Sequence, residues 1–356
     1  MNPQKKLRIA FLDSWLQEVS EGSGTAAAIG GLAEILQRRG HQVDRLVPMS
    51  KLPKKLLWRR LWYNVTLPQR LAKAKYDLCV GFDIDGFRWA HRSPIPYVCS
   101  IKGVLAEESR CEPGWPKLML WSLSRLERIN ARRAPRVIST SKYCCDRIHQ
   151  HYGVPFDRLR LVPEGIDLEN WQCSDDSQRD PWTVLCVARQ YPRKRVIDLV
   201  QAFRLVVDRL PQAKLVIIGD GPENAAIRQQ VDRCNLQSQV QVLGALPSQA
   251  EVKNWYARSS IFCLPSVQEG FGIVFLEAMA SGLPVISTTA AAIPEVVPDR
   301  QAGILVPPQD VKALALAIVE LLENPQLRSQ YQAAGRTHVQ LFTWERVADL
   351  FLEAIQ

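Results

Sequence analysis

The chain has 356 residues, of which 47% are hydrophobic and 23% charged, and it carries a net charge of +9. Those proportions exclude a disordered, collagenous or coiled-coil protein, and the length asks for two domains. No apolar run reaches the ~18 residues that a membrane-spanning helix needs.

Apolar runs at 7–12 and 43–47 read as strands around a helix from 25 to 39, closed by Gly40, which tolerates positive φ. Further strands are expected at 76–82, 95–101, 137–140 and 159–162, with helical stretches between several of them. A polar stretch at 172–181 interrupts the rhythm and reads as a linker. The alternation restarts at 182–188 and continues with strands at 214–218, 240–243, 261–264 and 284–287. Ser248 and Glu251 make a capping box, and Asn324-Pro325 gives a later helix its cap and first-turn proline. Short apolar strands between helices mean parallel sheets covered on both faces. The expected class is α/β: two doubly wound, Rossmann-like domains, 1–175 and 176–342, facing a central cleft, with ligands at the carboxyl ends of strands.

Charge divides the same way. Residues 1–175 hold 28 Lys and Arg against 18 Asp and Glu, whereas 176–356 hold 17 against 18. A basic half points to an anionic partner. Within 51–75, eight cations stand with no acid, and Trp58, Trp62 and Tyr63 are interleaved with leucines. That pattern suits an anionic membrane surface or a polyanionic acceptor. A second basic, aromatic stretch at 115–136 is expected to pack its aromatics inward. No nucleic-acid module is visible, so no nucleic-acid partner is expected. Nine cysteines without a C-x-x-C pair fit free thiols, and no signal-peptide pattern opens the chain. The expected location is cytoplasmic, peripheral on the inner face of the plasma membrane.

Three stretches carry chemistry. The first runs from Pro265 to Ala280, where a strand ends and Gly270, Phe271 and Gly272 lead into a helix. Backbone N–H groups at such a start hold phosphate or sugar oxygens. Glu269 precedes the glycines, and Glu277 stands in an otherwise apolar helix, where a carboxylate needs partners such as two ribose hydroxyls. The bland reading is a helix-start acid and a solvated one. The second stretch, Arg189 to Arg195, follows an apolar strand and puts Arg189 and Lys194 where cations can neutralise a diphosphate. A solvated basic loop is its bland alternative. The third, Gly219-Asp-Gly-Pro, is a tight strand-to-helix turn. Asp83-Ile84-Asp85 has the outline of a metal-binding D-x-D but reads as an acceptor-side loop. No metal or other cofactor is expected.

Together these stretches resemble the retaining glycosyltransferases of family 4, which have the two-domain GT-B fold. The family's E-x7-E signature stands here as Glu269 and Glu277, and its Arg/Lys pair as Arg189 and Lys194. The Gly219 turn, the Gly244 loop, Gly282-Leu-Pro, Ile293-Pro-Glu and the run from Gly303 to Asp310 fall in family order. In the first half, Gly22-Ser23-Gly24-Thr25 is similar to the family's first glycine loop. The resemblance implies transfer of a hexosyl group, with retention, from a UDP- or GDP-linked sugar to a cell-envelope glycolipid or polysaccharide precursor. It makes Arg189, Lys194 and Glu269 the catalytic group. Gly22, Ser23, Gly24, Thr25, Gly219, Gly244, Gly270, Phe271, Gly272 and Glu277 become donor contacts. A C-terminal helix at 343–356 is expected to cross back to the first domain. Two departures stand out: Lys102-Gly103 where many members carry a histidine, and Ala291-Ala292 in place of Gly-Gly. Lys102 is then an acceptor or sugar contact.

Rival readings stay open at this level. A non-catalytic sugar-nucleotide binding protein would bind without turnover, and an epimerase of the same fold would consume donor without acceptor. An NAD-dependent oxidoreductase would use Gly22, Gly24 and Ala27 as a dinucleotide turn, but nine residues separate those glycines from their strand.

Overall fold

A computed structural model describes residues 6–15, 24–48, 56–72, 75–90, 94–171 and 179–356. The chain divides into two compact units, Met1–Gly165 with Trp344–Gln356, and Ile166–Thr343.

The first unit is built on strands β1 (Arg8–Leu12), β2 (Gln42–Leu46), β3 (Leu78–Phe82), β4 (Tyr97–Ile101), β5 (Arg136–Ser139) and β6 (Leu159–Leu161). Their order is β2-β1-β3-β4-β5-β6 and every pairing is parallel. Parallel neighbours need crossovers, supplied by the helices Gly24–Arg38, Leu56–Leu71, Gly114–Arg133 and Lys142–Tyr152. All residues of β3 and β4 are buried, as expected of strands covered on both faces. The helix Trp344–Ala354 belongs to this unit because Val347, Ala348, Phe351 and Ala354 form one apolar face in the same core as Ile9 and Phe11. The Phe351 and Phe11 rings lie 6.3 Å apart.

The second unit repeats the plan with β7 (Thr183–Val187), β8 (Lys214–Ile218), β9 (Val240–Gly244), β10 (Ile261–Cys263), β11 (Val285–Thr288) and β12 (Gly303–Val306). The order is β12-β11-β10-β7-β8-β9, again all parallel. β12 lay outside the expected strands because Gly303 opens it and Pro307-Pro308 follows it, punctuation that reads as a loop. Both anticipated caps are present. Ser248 Oγ accepts from the Glu251 N–H at 3.3 Å, and Asn324 Oδ1 from the Leu327 N–H at 2.9 Å.

Each sheet reverses direction once. From β7 the chain builds outward through β8 and β9, then returns to lay β10 on the other side of β7. From β1 it adds β2 on one side and β3 on the other. At such a switch point the connections leave in opposite directions, and a crevice opens past the strands' carboxyl ends. The side chains that fill the two crevices differ in kind.

Candidate active site

In the second unit the crevice lies between the segments that leave β7 and β10. After β7, Gln190 is fully buried, donating to the Gly219 carbonyl at 2.7 Å and accepting from Asn224 at 2.8 Å. Pinning Gln190 fixes the backbone while its neighbour Arg189 stays exposed. One 3-10 turn, Pro192–Lys194, then brings Lys194 round. After β10, the Val267 N–H donates to the Arg193 carbonyl at 2.9 Å, lacing the two segments together. Lys194 Nζ reaches Glu269 Oε1 at 2.6 Å, and Ser266 Oγ donates to the same oxygen at 2.8 Å. The lysine side chain is 14% exposed and the glutamate 9%, so the pair is shielded from solvent yet reachable. A cation in this position can leave its carboxylate for a phosphate without first crossing bulk water.

Gly272 caps the helix Ile273–Ala280 at φ +93°, a conformation that L side chains rarely adopt. Phe271 is 5% exposed and its ring meets Phe342 at 5.7 Å, so that side chain belongs to the core. Glu277 sits in this helix among the buried Phe275, Leu276, Ala278 and Met279. The Tyr256 hydroxyl donates to Glu277 Oε2 at 3.2 Å. Burial pushes the carboxyl up to about 7, against the pull of Tyr256 and the Lys253 charge.

That shift has a sign. The folded protein keeps the Glu277 proton up to about 7, whereas the unfolded chain loses it near 4.5. Between those values folding takes up a proton, so this group's contribution to stability falls as pH rises across the window. Glu277→Gln carries no charge at any pH. Its melting temperature relative to wild type should rise from below pH 4.5 to above pH 7 in paired thermal melts. A constant difference would show that burial does not shift this carboxyl.

At the same sheet edge, Gly219 ends β8 at φ +117°, and a Cβ there would stand 2.0 Å from the Ala188 carbonyl oxygen. Close backbone approach alone accounts for that glycine. Its N–H donates to the Gly244 carbonyl at 2.8 Å, which joins the ends of β8 and β9. Ala291, in the segment after β11, holds φ +52°. The remaining expected residues belong to the first unit. Gly24 and Thr25 open a helix there, while Gly22 and Ser23 lie outside the described residues. Lys102 follows β4, and its Nζ is 3.1 Å from Glu164, with both side chains 8% exposed.

The first unit's crevice is filled by the protein itself. Asp83 and Asp85, expected on an acceptor-side loop, stand in the turn after β3 with both side chains buried. Arg60, 1% exposed, places its guanidinium 3.7 Å from both carboxylates. Asp85 also accepts from the Ser14 N–H at 2.9 Å and from Asn64 at 3.1 Å. Asp83 accepts from Trp15 Nε1 at 2.9 Å and from the Lys102 N–H at 3.0 Å. Burial raises both acids, Asp85 to about 6, and Arg60 opposes the shift. Both carboxylates are thus engaged by side chains and backbone of the first unit itself. Among the described residues no His, Cys, Asp or Glu group is placed to hold a metal ion. Arg60 stands in the cation run at 51–75 that was expected to face an anionic surface, yet it is buried. The signal was there in Arg60, Tyr63, Asn64, Leu67 and Leu71, whose helical spacing marks one inward face.

Residues 22–170 match Glycosyltransferase Family 4, and residues 169–338 match Glycosyl transferases group 1. A mannosyltransferase of Corynebacterium glutamicum is 34% identical over 272 residues, covering 71% of this chain and 70% of the relative. It is described as a GDP-mannose-dependent monoacylated alpha-(1-6)-phosphatidylinositol monomannoside mannosyltransferase. The chain belongs to glycosyltransferase family 4. The GDP-mannose-dependent alpha-(1-6)-phosphatidylinositol monomannoside mannosyltransferase of Mycolicibacterium smegmatis is 28% identical over 268 residues, 71% of this chain and 69% of the relative. In fold the chain resembles sucrose-phosphate synthase from Thermosynechococcus elongatus, with a TM-score of 0.83, 22% identity and 98% coverage of both chains. The two parallel sheets are thus those of the GT-B fold, and this family 4 member is a retaining glycosyltransferase that takes its hexosyl group from a nucleotide-diphosphate sugar.

Proposed function

We propose that this glycosyltransferase moves a mannosyl group from GDP-mannose to a phosphoinositide-type glycolipid at a membrane surface. The base, sugar and acceptor come from the two mannosyltransferase relatives. The observation that carries the site is the Lys194–Glu269 pair at the β7/β10 switch point, with Glu277 in the helix that follows. Arg189 and Lys194 hold the diphosphate and stabilise the charge that grows on it as the glycosidic bond breaks. Glu277 accepts from the ribose hydroxyls. Glu269, with the backbone from Gly270 to Gly272, orients the donor sugar, and the turns at Gly219 and Gly244 border the nucleotide.

The acceptor oxygen bonds to the anomeric carbon on the face that the nucleotide leaves. Its proton passes to the departing phosphate, so no side-chain base is needed. Lys102, steadied by Glu164 at 3.1 Å, contacts the acceptor or the transferred sugar. The basic stretch 51–75 meets the anionic bilayer that holds the acceptor. No helix among the described residues is long and apolar enough to cross a membrane, so surface attachment is the mode proposed.

The test is transfer from radiolabelled GDP-mannose to vesicles containing phosphatidylinositol mannoside, with the anomer of the product read by NMR. An organic-soluble α-mannoside is expected. Label that moves only from a UDP-sugar, or only to a water-soluble saccharide, would overturn the donor or the acceptor assignment respectively.

A further inference from the structure

The helix Gly114–Arg133 turns its aromatic residues outward, against the sequence expectation. Trp115 is 70% exposed, Leu118 51% and Trp121 47%. The inward face carries Leu123, Ser124, Glu127, Asn130 and Ala131. Three of those are polar and committed: Ser124 donates to the Trp121 carbonyl at 2.7 Å, Glu127 accepts from the Leu105 N–H at 3.0 Å, and Asn130 donates to the Asp83 carbonyl at 2.7 Å. The helix Leu56–Leu71 has the same inversion. Arg60 and Asn64 are buried, while Trp58, Trp62 and Val65 are 60%, 56% and 48% exposed. Exposed residues at 58, 62 and 65, and at 115, 118, 121 and 125, recur with helical spacing and form one stripe on each helix.

The stripes share one region of the first unit. Leu57 from one helix, and Met119 and Leu120 from the other, pack on the same small cluster of Ile84, Leu105 and Leu123. Exposed tryptophans gathered this way mark an interaction surface. Charge selects the partner. Lys117, Arg125, Arg128, Arg132 and Arg133 are exposed on Gly114–Arg133, whereas its one acid, Glu127, is buried. Leu56–Leu71 has no acid at all. The Arg125 guanidinium lies 4.2 Å from the Trp121 ring, holding cation and indole at one level. Indoles flanked by cations fit the headgroup layer of an anionic bilayer.

We infer that Gly114–Arg133 is a second membrane-docking element, which acts with Leu56–Leu71 to hold the first unit on an anionic lipid surface. This docking rests on the membrane reading above for its purpose, yet it is measured without any sugar transfer. The full chain is sedimented with vesicles of phosphatidylcholine alone, or of phosphatidylcholine and phosphatidylglycerol in equal parts. Binding is expected on the anionic vesicles and should weaken with salt.

The combined variant Lys117→Gln, Arg125→Gln, Arg128→Gln should bind those vesicles about a hundredfold less, because each cation near the surface counts for roughly fivefold. Trp115→Ser with Trp121→Ser should also bind less. Both variants should keep the wild-type melting temperature and turnover on a water-soluble acceptor, since all five side chains are exposed. Wild-type affinity in the triple-glutamine variant would overturn the inference. So would a wild-type dimer that the tryptophan variant dissociates with no loss of vesicle binding, which would assign the surface to a second copy. Vesicle binding without mannosyl transfer would leave the docking intact and sink the acceptor assignment.

Discussion

Replacing Lys194 with alanine is expected to lower kcat/KM by about 10²–10³-fold, the usual cost of losing one preorganised group that stabilises a leaving charge. Lys194 is held 2.6 Å from Glu269 in a site shielded from water, where such a charge counts for more than at an open surface. The variant has a second consequence. Glu269, at 9% side-chain exposure, keeps the Ser266 hydroxyl but loses its cation, and an uncompensated carboxylate destabilises the fold. A lower melting temperature should therefore accompany the loss of rate.

Arg189→Ala separates the two effects. Arg189 is exposed, and its nearest described ring, Tyr191, lies 6.0 Å from the guanidinium. Its loss should cost a comparable factor in rate and leave the melting temperature unchanged. Steady-state kinetics beside thermal melts of both variants checks the pair. A full-rate Arg189→Ala enzyme would make that loop the solvated one of the bland reading.

Glu277→Ala is expected to weaken nucleoside diphosphate binding about a thousandfold. A carboxylate accepting two ribose hydroxyls makes two charge-assisted bonds, each contributing roughly 1.5–3 kcal/mol. Alanine removes both and also strips the Tyr256 hydroxyl of its acceptor. Glu277→Gln keeps one oxygen for the ribose and should lose only about tenfold. Because the free carboxyl titrates at about 7, protonation competes with the incoming hydroxyls. Wild-type affinity should accordingly tighten as pH rises through that value, while the glutamine variant stays flat. Titration calorimetry across the range reads both. A wild-type affinity independent of pH would remove the ribose from Glu277.

The sequence carried the second unit further than the first, for a physical reason. Its strands are short continuous apolar runs, and the residues proposed to bind the donor sit in the segments that leave β7 and β10, where glycines and charges stand close together along the chain. Arg189, Lys194, Glu269 and Glu277 are therefore readable by spacing. β12 was missed because Gly303 and Pro307-Pro308 bracket it with loop-forming residues. In the first unit the decisive contacts span long sequence separations. Arg60 meets Asp83 and Asp85, and Lys102 meets Glu164, across segments that no local pattern links. The cation run suggested an anionic surface for Arg60, yet two buried carboxylates hold it inside. The tryptophans of Gly114–Arg133 misled in the opposite direction, because Glu127 and Asn130 occupy the inward positions that aromatics would otherwise take. Gly219 shows a subtler limit, since a motif glycine can be demanded by the Ala188 backbone as readily as by a nucleotide.

The β7/β10 crevice is proposed to bind a nucleoside diphosphate. Thermal melts of wild type and Glu277→Ala with GDP, UDP, ADP and NAD decide whether it does. At ~100 times its dissociation constant a ligand adds about 2.7 kcal/mol, which raises the melting temperature of a domain this size by several degrees. GDP should do so for wild type and fail at the same concentration for the variant. Stabilisation by NAD alone, or equal stabilisation of both proteins by GDP, would contradict the assignment of this crevice.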